Sequence, residues 1–304
     1  MNRDILDSRI ELPASQTCFF TLVGSQHGAR NAVRLIDSLR SFGGPLSQSP
    51  VWVFDAQPQN DPWTSIAPNV RAVPLAPEDQ CRSYIFSAKV HACAQAESLA
   101  EGKFQSLVWL STDSLILNPP TLFCLEGDHD AAFRTVHIKN IGSLAREPLD
   151  SFWEAVYRTV GLDDAPFTLA SFVDEQIIRP YFNSHSFALN PSIGLCRRWL
   201  HLFKEMVSDK SFQSGPCADE LHQVFLHQAI LSTLVSKHLS EEQIRFLPPE
   251  YSYPLHFHQQ VPAQSRPSLL NDLVCAVYES DLEIDEIAVQ DPLRSWLGNL
   301  THST

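Results

Sequence analysis

Apolar residues along the chain fall into two recurring patterns. Short continuous runs alternate with longer stretches at helical spacing, which predicts strands buried on both faces and helices covering them. Thr17 to Val23 reads as a first strand ended by Gly24-Ser25. His27 to Phe42 carries Val33, Leu35, Ile36 and Leu39 at helical intervals before Gly43-Gly44-Pro45 stops it. Val51 to Phe54, closed by Asp55, and Val70 to Val73 predict two further strands. Such a β-α-β opening predicts parallel strands joined by a right-handed crossover. Ser83 to Ala100 has helix-forming composition and leads into the stretch from Ser106 to Thr121. There Leu107 to Leu110 predicts a buried central strand, with Ser111, Thr112 and Asp113 at its carboxyl end. A second apolar run, Leu115 to Leu117, is stopped by Pro119-Pro120.

Beyond Pro120 the pattern loosens. Ala131 to Val136 predicts a strand, Ser151 to Val160 a helix, and Tyr181 to Leu189 a strand broken by Asn190-Pro191. Ile193 to Val207 is amphipathic, with Trp199, Leu200 and Phe203 on its apolar side. Ala218 to His238 predicts a longer helix, and Asp219 and Glu220 suit its first turn, where negative charge meets the positive end of the helix dipole. Ile244 to Leu247 is short and extended, a proline-rich loop runs to Pro254, and Leu273 to Tyr278 predicts a last strand. Met1 to Ser15 has little periodicity and is expected to trail on the surface. With no internal repeat and no low-complexity linker, the expectation is a single mixed α/β domain over residues 1–304.

Composition narrows the function classes. A chain of 304 residues with 44% hydrophobic and 19% charged residues can build a large core. A formal net charge of −13 leaves no basic surplus to neutralise a phosphate backbone, so a general nucleic-acid binder is not expected. No run approaches the ~20 apolar residues of a membrane span, and the polar N-terminus does not resemble a secretory signal. Seven scattered cysteines without a Cys-x-x-Cys pair favour reduced thiols and a cytoplasmic location.

Candidate chemistry starts at Asp113. A lone carboxylate between two hydrophobic runs is costly to bury unpaired. It either makes local turn hydrogen bonds or stands at the carboxyl edge of an open α/β sheet, where ligands bind. GxGxxG, GxxxxGK[ST], GxSxG and HExxH motifs are all missing. What remains is a series of polar residues at predicted strand ends: Gly24-Ser25, Asp55, Ser111 with Asp113, Asn183 with His185, and then His256 and His258.

In this order the chain resembles the GT-A type nucleotide-diphospho-sugar glycosyltransferases, in their glycogenin-like and lipopolysaccharide galactosyltransferase-like branch. Val108-Trp109-Leu110-Ser111-Thr112-Asp113-Ser114-Leu115-Ile116 is similar to the strand entering the family's Asp-x-Asp motif. Tyr181-Phe182-Asn183-Ser184 is similar to its Phe-Asn-Ala/Ser-Gly block, and His227-Gln228-Ala229-Ile230-Leu231 to its Asp-Gln helix start. Phe246-Leu247-Pro248-Pro249-Glu250-Tyr251-Ser252-Tyr253 is similar to its Leu-Pro-x-x-Tyr/Trp-Asn-Tyr segment, which a metal-binding His follows.

The resemblance implies a GT-A-like, mostly parallel central sheet, with residues 17–120 as the nucleotide-sugar half and 121–304 as the acceptor half. It implies sugar transfer from a nucleotide sugar, a UDP-sugar, to an unknown saccharide, lipid or protein, assisted by Mn²⁺ or Mg²⁺. Asp113 with His256 or His258 would meet the metal. Val23, Gly24 and Asp55 would flank the nucleoside, and Ser111, Thr112, Asn183 and Lys89 would line the donor. Gln228, His227 and His185 would lie on the reacting face. Lys89 also has a plainer reading as part of a solvated helix face. Asp174-Glu175 and Asp219-Glu220 are the acidic pairs available for a general base, and both also read as helix N-terminal charges. Three positions depart from the family pattern: Ser111 replaces a carboxylate, His185 a glycine and His227 an aspartate. These departures keep a second class open, a protein of the same fold that binds a nucleotide sugar or a partner without turnover. A nucleotidyltransferase is a poorer fit, because no glycine- and arginine-rich loop lies near the first strand.

Overall fold

A computed structural model describes residues 16–56, 66–75, 81, 83–279, 282 and 287–301. The expectation for residues 1–15 lies outside them. The strands are β1 (Thr17–Val23), β2 (Val51–Asp55), β3 (Val70–Pro74), β4 (Ser106–Leu110), β5 (Ser114–Ile116), β6 (Ala131–Thr135), β7 (Leu169–Ala170), β8 (Ile177–Ile178), β9 (Phe182–Leu189), β10 (Ile244–Phe246), β11 (Tyr253–Pro254) and β12 (Cys275–Val277). The helices are α1 (Gln26–Phe42), α2 (Ser87–Ala100), α3 (Ser151–Val160), α4 (Leu195–Ser208), α5 (Lys210–Ser214), α6 (Glu220–His238) and α7 (Leu293–Thr301).

Seven strands form one sheet in the order β10-β6-β9-β4-β1-β2-β3. The β4-β1-β2-β3 ladders and the β6-β10 ladder are parallel. β9 runs antiparallel to both of its neighbours, β4 and β6. The mixed, mostly parallel α/β sheet expected from the runs is therefore present.

Successive strand residues point to opposite faces, and the core divides accordingly. Phe20, Trp52, Phe54 and Trp109 pack with residues of α2, α3, α4 and α6. Phe19, Val51, Val53, Val108 and Leu110 pack with Leu35, Ile36 and Leu39 of α1 and with Phe123 and Tyr251. A smaller sheet, β11-β12-β5, carries a third cluster that includes Tyr253, Tyr278 and Leu293.

Several boundaries differ from the sequence reading for local reasons. α2 begins at Ser87 rather than Ser83, because Tyr84 and Ser87 close turns onto Cys81 and Tyr84 and Phe86 is left-handed (φ 61°). The helix expected from Ile193 is split: Pro191–Ile193 makes a short 3₁₀ turn, Gly194 turns left-handed at φ 68°, and α4 starts after it. Asp219 does cap α6, accepting from the His222 amide at 3.1 Å. Asp174-Glu175 is not a helix start. Asp174 accepts from the Lys139 amide at 3.0 Å in a turn where Glu175 has φ 49°. The run Leu115–Leu117 supplies the edge of the small sheet; its Ile116 amide donates to Ser38 Oγ at 3.0 Å and its Leu117 amide to the Val274 carbonyl at 2.9 Å. β7, β8, α5 and α7 have no counterpart in the sequence reading, and β11 falls at the end of the stretch expected to be a proline-rich loop, where it pairs with β12. All seven cysteines are buried free thiols. Among the described residues no helix is long and apolar enough to cross a membrane.

Glu97 joins α2 to α4. Its fully buried carboxylate accepts from the Cys196 and Arg197 amides at 2.8 and 3.0 Å and lies 3.3 Å from Arg197 Nε. Burial pushes its pKa up, against the pull of these donors. Glu97→Ala leaves two helix-terminal amides and a guanidinium short of an acceptor and is expected to cost about 3 kcal/mol. Urea unfolding would show this as a lower midpoint at unchanged slope.

Candidate active site

The polar residues named from strand ends gather at one edge of the sheet because of strand direction. β1, β2, β4 and β6 all end there, and antiparallel β9 begins there, with Leu110 opposite Ser186 and Thr135 opposite Phe182. Val23 pairs with Asp55 across β1 and β2. Gly24 faces open space, and Ser25 caps α1 by accepting from the Gly28 amide at 3.0 Å. A methyl group at Gly28 would come within 4.0 Å of Thr112 Oγ1, so the N-terminal turn of α1 opens beside the Ser111–Asp113 turn.

That turn is pinned from two sides. The Ser111 amide donates to the His185 carbonyl at 2.8 Å, and the Tyr278 amide donates to the Asp113 carbonyl at 2.9 Å. The Ser111 hydroxyl donates to Asp113 Oδ1. The serine that replaces a carboxylate thus engages the remaining one. Asp113 answers both of its sequence readings: it makes the local turn bonds, and it stands at the carboxyl edge.

Lys89 is 6% exposed and does not lie on a solvated helix face. Its ammonium donates to the Ser184 carbonyl and lies 5.2 Å from the Trp109 ring centroid and 5.9 Å from that of Phe86. Trp109 Nε1 donates to the same carbonyl at 3.0 Å. Burial lowers the Lys89 pKa to about 8, with Cys93 and then Asp113 pulling the other way. The Ser184 hydroxyl donates to Gln228 Oε1 at 2.9 Å, and His227 Nε2 lies 3.3 Å from it. His227 Nδ1, 2.9 Å from the Val224 carbonyl, carries the donor hydrogen. Burial, then the charge of Lys89, hold His227 neutral.

Three imidazoles form the other wall. His137 and His185 stack with centroids 5.9 Å apart and planes 8° from parallel, and His256 lies 6.1 Å from His137. Asn183 Oδ1 accepts from the His185 amide at 2.7 Å and sits 3.1 Å from its Nδ1. Asn183 Nδ2 lies 3.0 Å from His137 Nε2. Burial depresses all three histidines. Asp113 opposes this at His185, and Glu279 followed by Asp113 opposes it at His256. His256 Nε2 lies 3.4 Å from Glu279 Oε1. His258 turns elsewhere, with Nδ1 2.8 Å from the Tyr253 hydroxyl.

Among the described residues no three His, Cys, Asp or Glu side chains converge as a metal cluster. Asp113 and His256 remain as a pair near one another. This set suits an ion held chiefly by a substrate's phosphates and water, as magnesium commonly is, rather than one enclosed by protein.

Sequence reasoning missed His137 and Glu279. Each immediately follows a predicted strand, after Val136 and Tyr278, so the strand-end rule that selected Asp55 and Asp113 would have selected them too.

Residues 19–238 match the family described as the Rhodobacterales glycosyltransferase domain. No curated protein matches the chain in sequence. Among solved structures, the galactosyltransferase LgtC in complex with donor and acceptor sugar analogs aligns at TM-score 0.55 and 14% identity, over 94% of each chain. An active-site glutamine-to-glutamate mutant of LgtC aligns at 0.51 and 12%, over 94% of this chain and 95% of its own. The bifunctional WbbM aligns at 0.56 and 13%, covering 88% of this chain and 46% of its own. These likenesses establish a shared fold.

The Lys89 ammonium is a cation below a pH of about 8 and a neutral amine above it. In lysine-labelled protein one ε resonance is expected to titrate near that value and to vanish in Lys89→Met, whereas titration at the ordinary lysine pKa would contradict the burial argument. Any anion affinity that Lys89 supplies should weaken as pH rises through the same value.

Proposed function

The chain belongs to the Rhodobacterales glycosyltransferase domain family, and from that premise we propose that it transfers a sugar from a nucleotide-diphosphate donor, a UDP-sugar, to a hydroxyl group of a saccharide, lipid or protein acceptor. The observation that carries this reading is the convergence of Asp113, Lys89 and the Ser184–Gln228 pair at the sheet edge where Val23 and Asp55 meet. That edge is where nucleotides bind in open α/β folds.

In this proposal residues 17–120 hold the donor and 121–304 approach the acceptor. Val23, Gly24 and Asp55 flank the nucleoside, and Thr112 with the first turn of α1 faces the diphosphate. Lys89 supplies positive charge to the donor, anchored by the Ser184 carbonyl so that little reorganisation accompanies the reaction. Transfer breaks the bond between the anomeric carbon and the diphosphate oxygen and forms one to the acceptor oxygen, whose proton needs a base. His185, held neutral by burial and steadied by Asn183, is equipped to take it. Gln228, fixed by Ser184, contributes an amide on the reacting face, and LgtC likewise has a glutamine in its active site. A divalent ion arriving with the donor, Mn²⁺ or Mg²⁺, would neutralise charge on the leaving diphosphate, and Asp113 and His256 are the side chains that would meet it. Seven buried thiols without a disulfide support a cytoplasmic setting.

A second reading, binding without turnover, draws on the Ser111 hydroxyl that occupies an oxygen of Asp113.

Calorimetric titration of UDP and GDP with and without Mn²⁺ separates these readings. UDP binding that strengthens with metal, and loses that increment in Asp113→Ala, supports the transferase. Failure of both nucleotides to bind would remove the donor assignment. With UDP-sugars, sugar release or transfer is expected, and Gln228→Ala should lower turnover on the order of 100-fold while UDP affinity stays within about threefold. Binding without any turnover would favour the second reading.

A further inference from the structure

A second concave feature lies at the opposite edge of the sheet, beyond the start of β4 and the end of β9. It is an open groove of about 530 Å³ between the end of α3, the first turns of α4 and the end of α6, and its basic side chains Arg198, His201 and His238 are solvent-exposed. Arg198, His201 and His238 face it, and Leu202 and Leu234 form part of its apolar wall. Lys237 stands at its rim, donating to the Val160 carbonyl at 2.6 Å.

The charges here are unusual for a chain of net charge −13. Arg198 donates to the Ile193 carbonyl at 2.6 Å and Lys237 to that of Val160, so both are hydrogen-bonded to backbone oxygens, while the Glu97 carboxylate feels the Arg198 charge only through space. The neighbouring acids are already committed: Glu97 to two amides and Arg197 Nε, and Glu101 to Arg197 Nη1 at 2.6 Å. The charges acting on His238 are those of Arg198 and Lys237, which add to burial in holding its pKa down. Like charges gathered around one hollow repel each other, and an anion placed among them removes that penalty.

We infer that this groove binds a phosphoryl anion, free or as the headgroup of a lipid, through Arg198, His201 and His238. The apolar wall admits the carbon-bearing side of such a ligand. Because the α4 amides of Cys196 and Arg197 are taken by Glu97, recognition falls to side chains. The site is separate from the sheet edge that holds Asp113, so the inference stands or falls independently of the proposed reaction.

Inorganic phosphate is the first probe, added to the full chain at about 10 mM against chloride of equal ionic strength. It is expected to raise Tm by about 2–4 °C and to shift the His201 and His238 imidazole resonances. Both responses should fall at least threefold in Arg198→Gln and in His201→Ala, and should persist in Lys89→Met. Two variants are used because Arg198 also braces Ile193. In the second arm, sedimentation with phosphatidylglycerol vesicles but not with phosphatidylcholine, lost in the same variants, assigns the anion to a lipid headgroup. A phosphate response without vesicle binding assigns it to a free phosphoryl compound. The inference is overturned if neither probe binds, if the responses survive both groove substitutions, or if they disappear in Lys89→Met.

Discussion

A single backbone oxygen holds the candidate active site together. A carbonyl has two lone pairs, and that of Ser184 spends them on Lys89 of α2 and Trp109 of β4. The hydroxyl of the same residue reaches Gln228 of α6 and lies close to His227. One strand residue of β9 therefore joins two helices and β4, and both its carbonyl and its hydroxyl have partners. This arrangement also explains how a lysine can be buried here. The ammonium has a carbonyl on one side and the faces of Trp109 and Phe86 on the others, which partly replace the water it has lost.

The electrostatic character of the site follows from burial more than from pairing. Desolvation disfavours the charged forms of Lys89, of buried His137 and His227 and of half-buried His185 and His256, pushing all five toward neutrality. Cys93 and then Asp113 counteract this at Lys89, and Asp113 leads the opposition at His185. A low-dielectric wall of neutral imidazoles beside one carboxylate and one weakened cation is a setting in which small changes of charge on a ligand are felt strongly.

Much of the fold could be read directly, because parallel strands buried on both faces announce themselves as unbroken apolar runs. Val51 to Phe54 and Leu107 to Leu110 are examples. The small sheet could not. Leu115 to Leu117 looks like any buried strand, and its partner, Cys275–Val277, lies far along the chain and meets it only through tertiary packing. The site was partly legible by one rule, polar residues at strand ends, which found Asp55, Asp113 and Asn183 but was not applied at His137 or Glu279. Burial was not legible. Nothing in the run Ala88-Lys89-Val90-His91 says that the lysine faces inward, since that depends on which face of α2 meets β9 and α6. The same limit applies to His258, whose partner Tyr253 is decided by the 3₁₀ turn over residues 255–260.

The turn that carries Asp113 is fixed by backbone bonds to two different sheets, from Ser111 to His185 and from Tyr278 to Asp113. None of these bonds involves a side chain, so the path of the main chain does not depend on which residues line the site. Serine could replace a carboxylate at 111, and a bulky imidazole could stand at 185, without the scaffold having to be rebuilt. A backbone secured in this way lets lineages exchange donors and acceptors by changing side chains alone, which makes the neighbourhood of Asp113 a place where specificity can drift while the fold stays still.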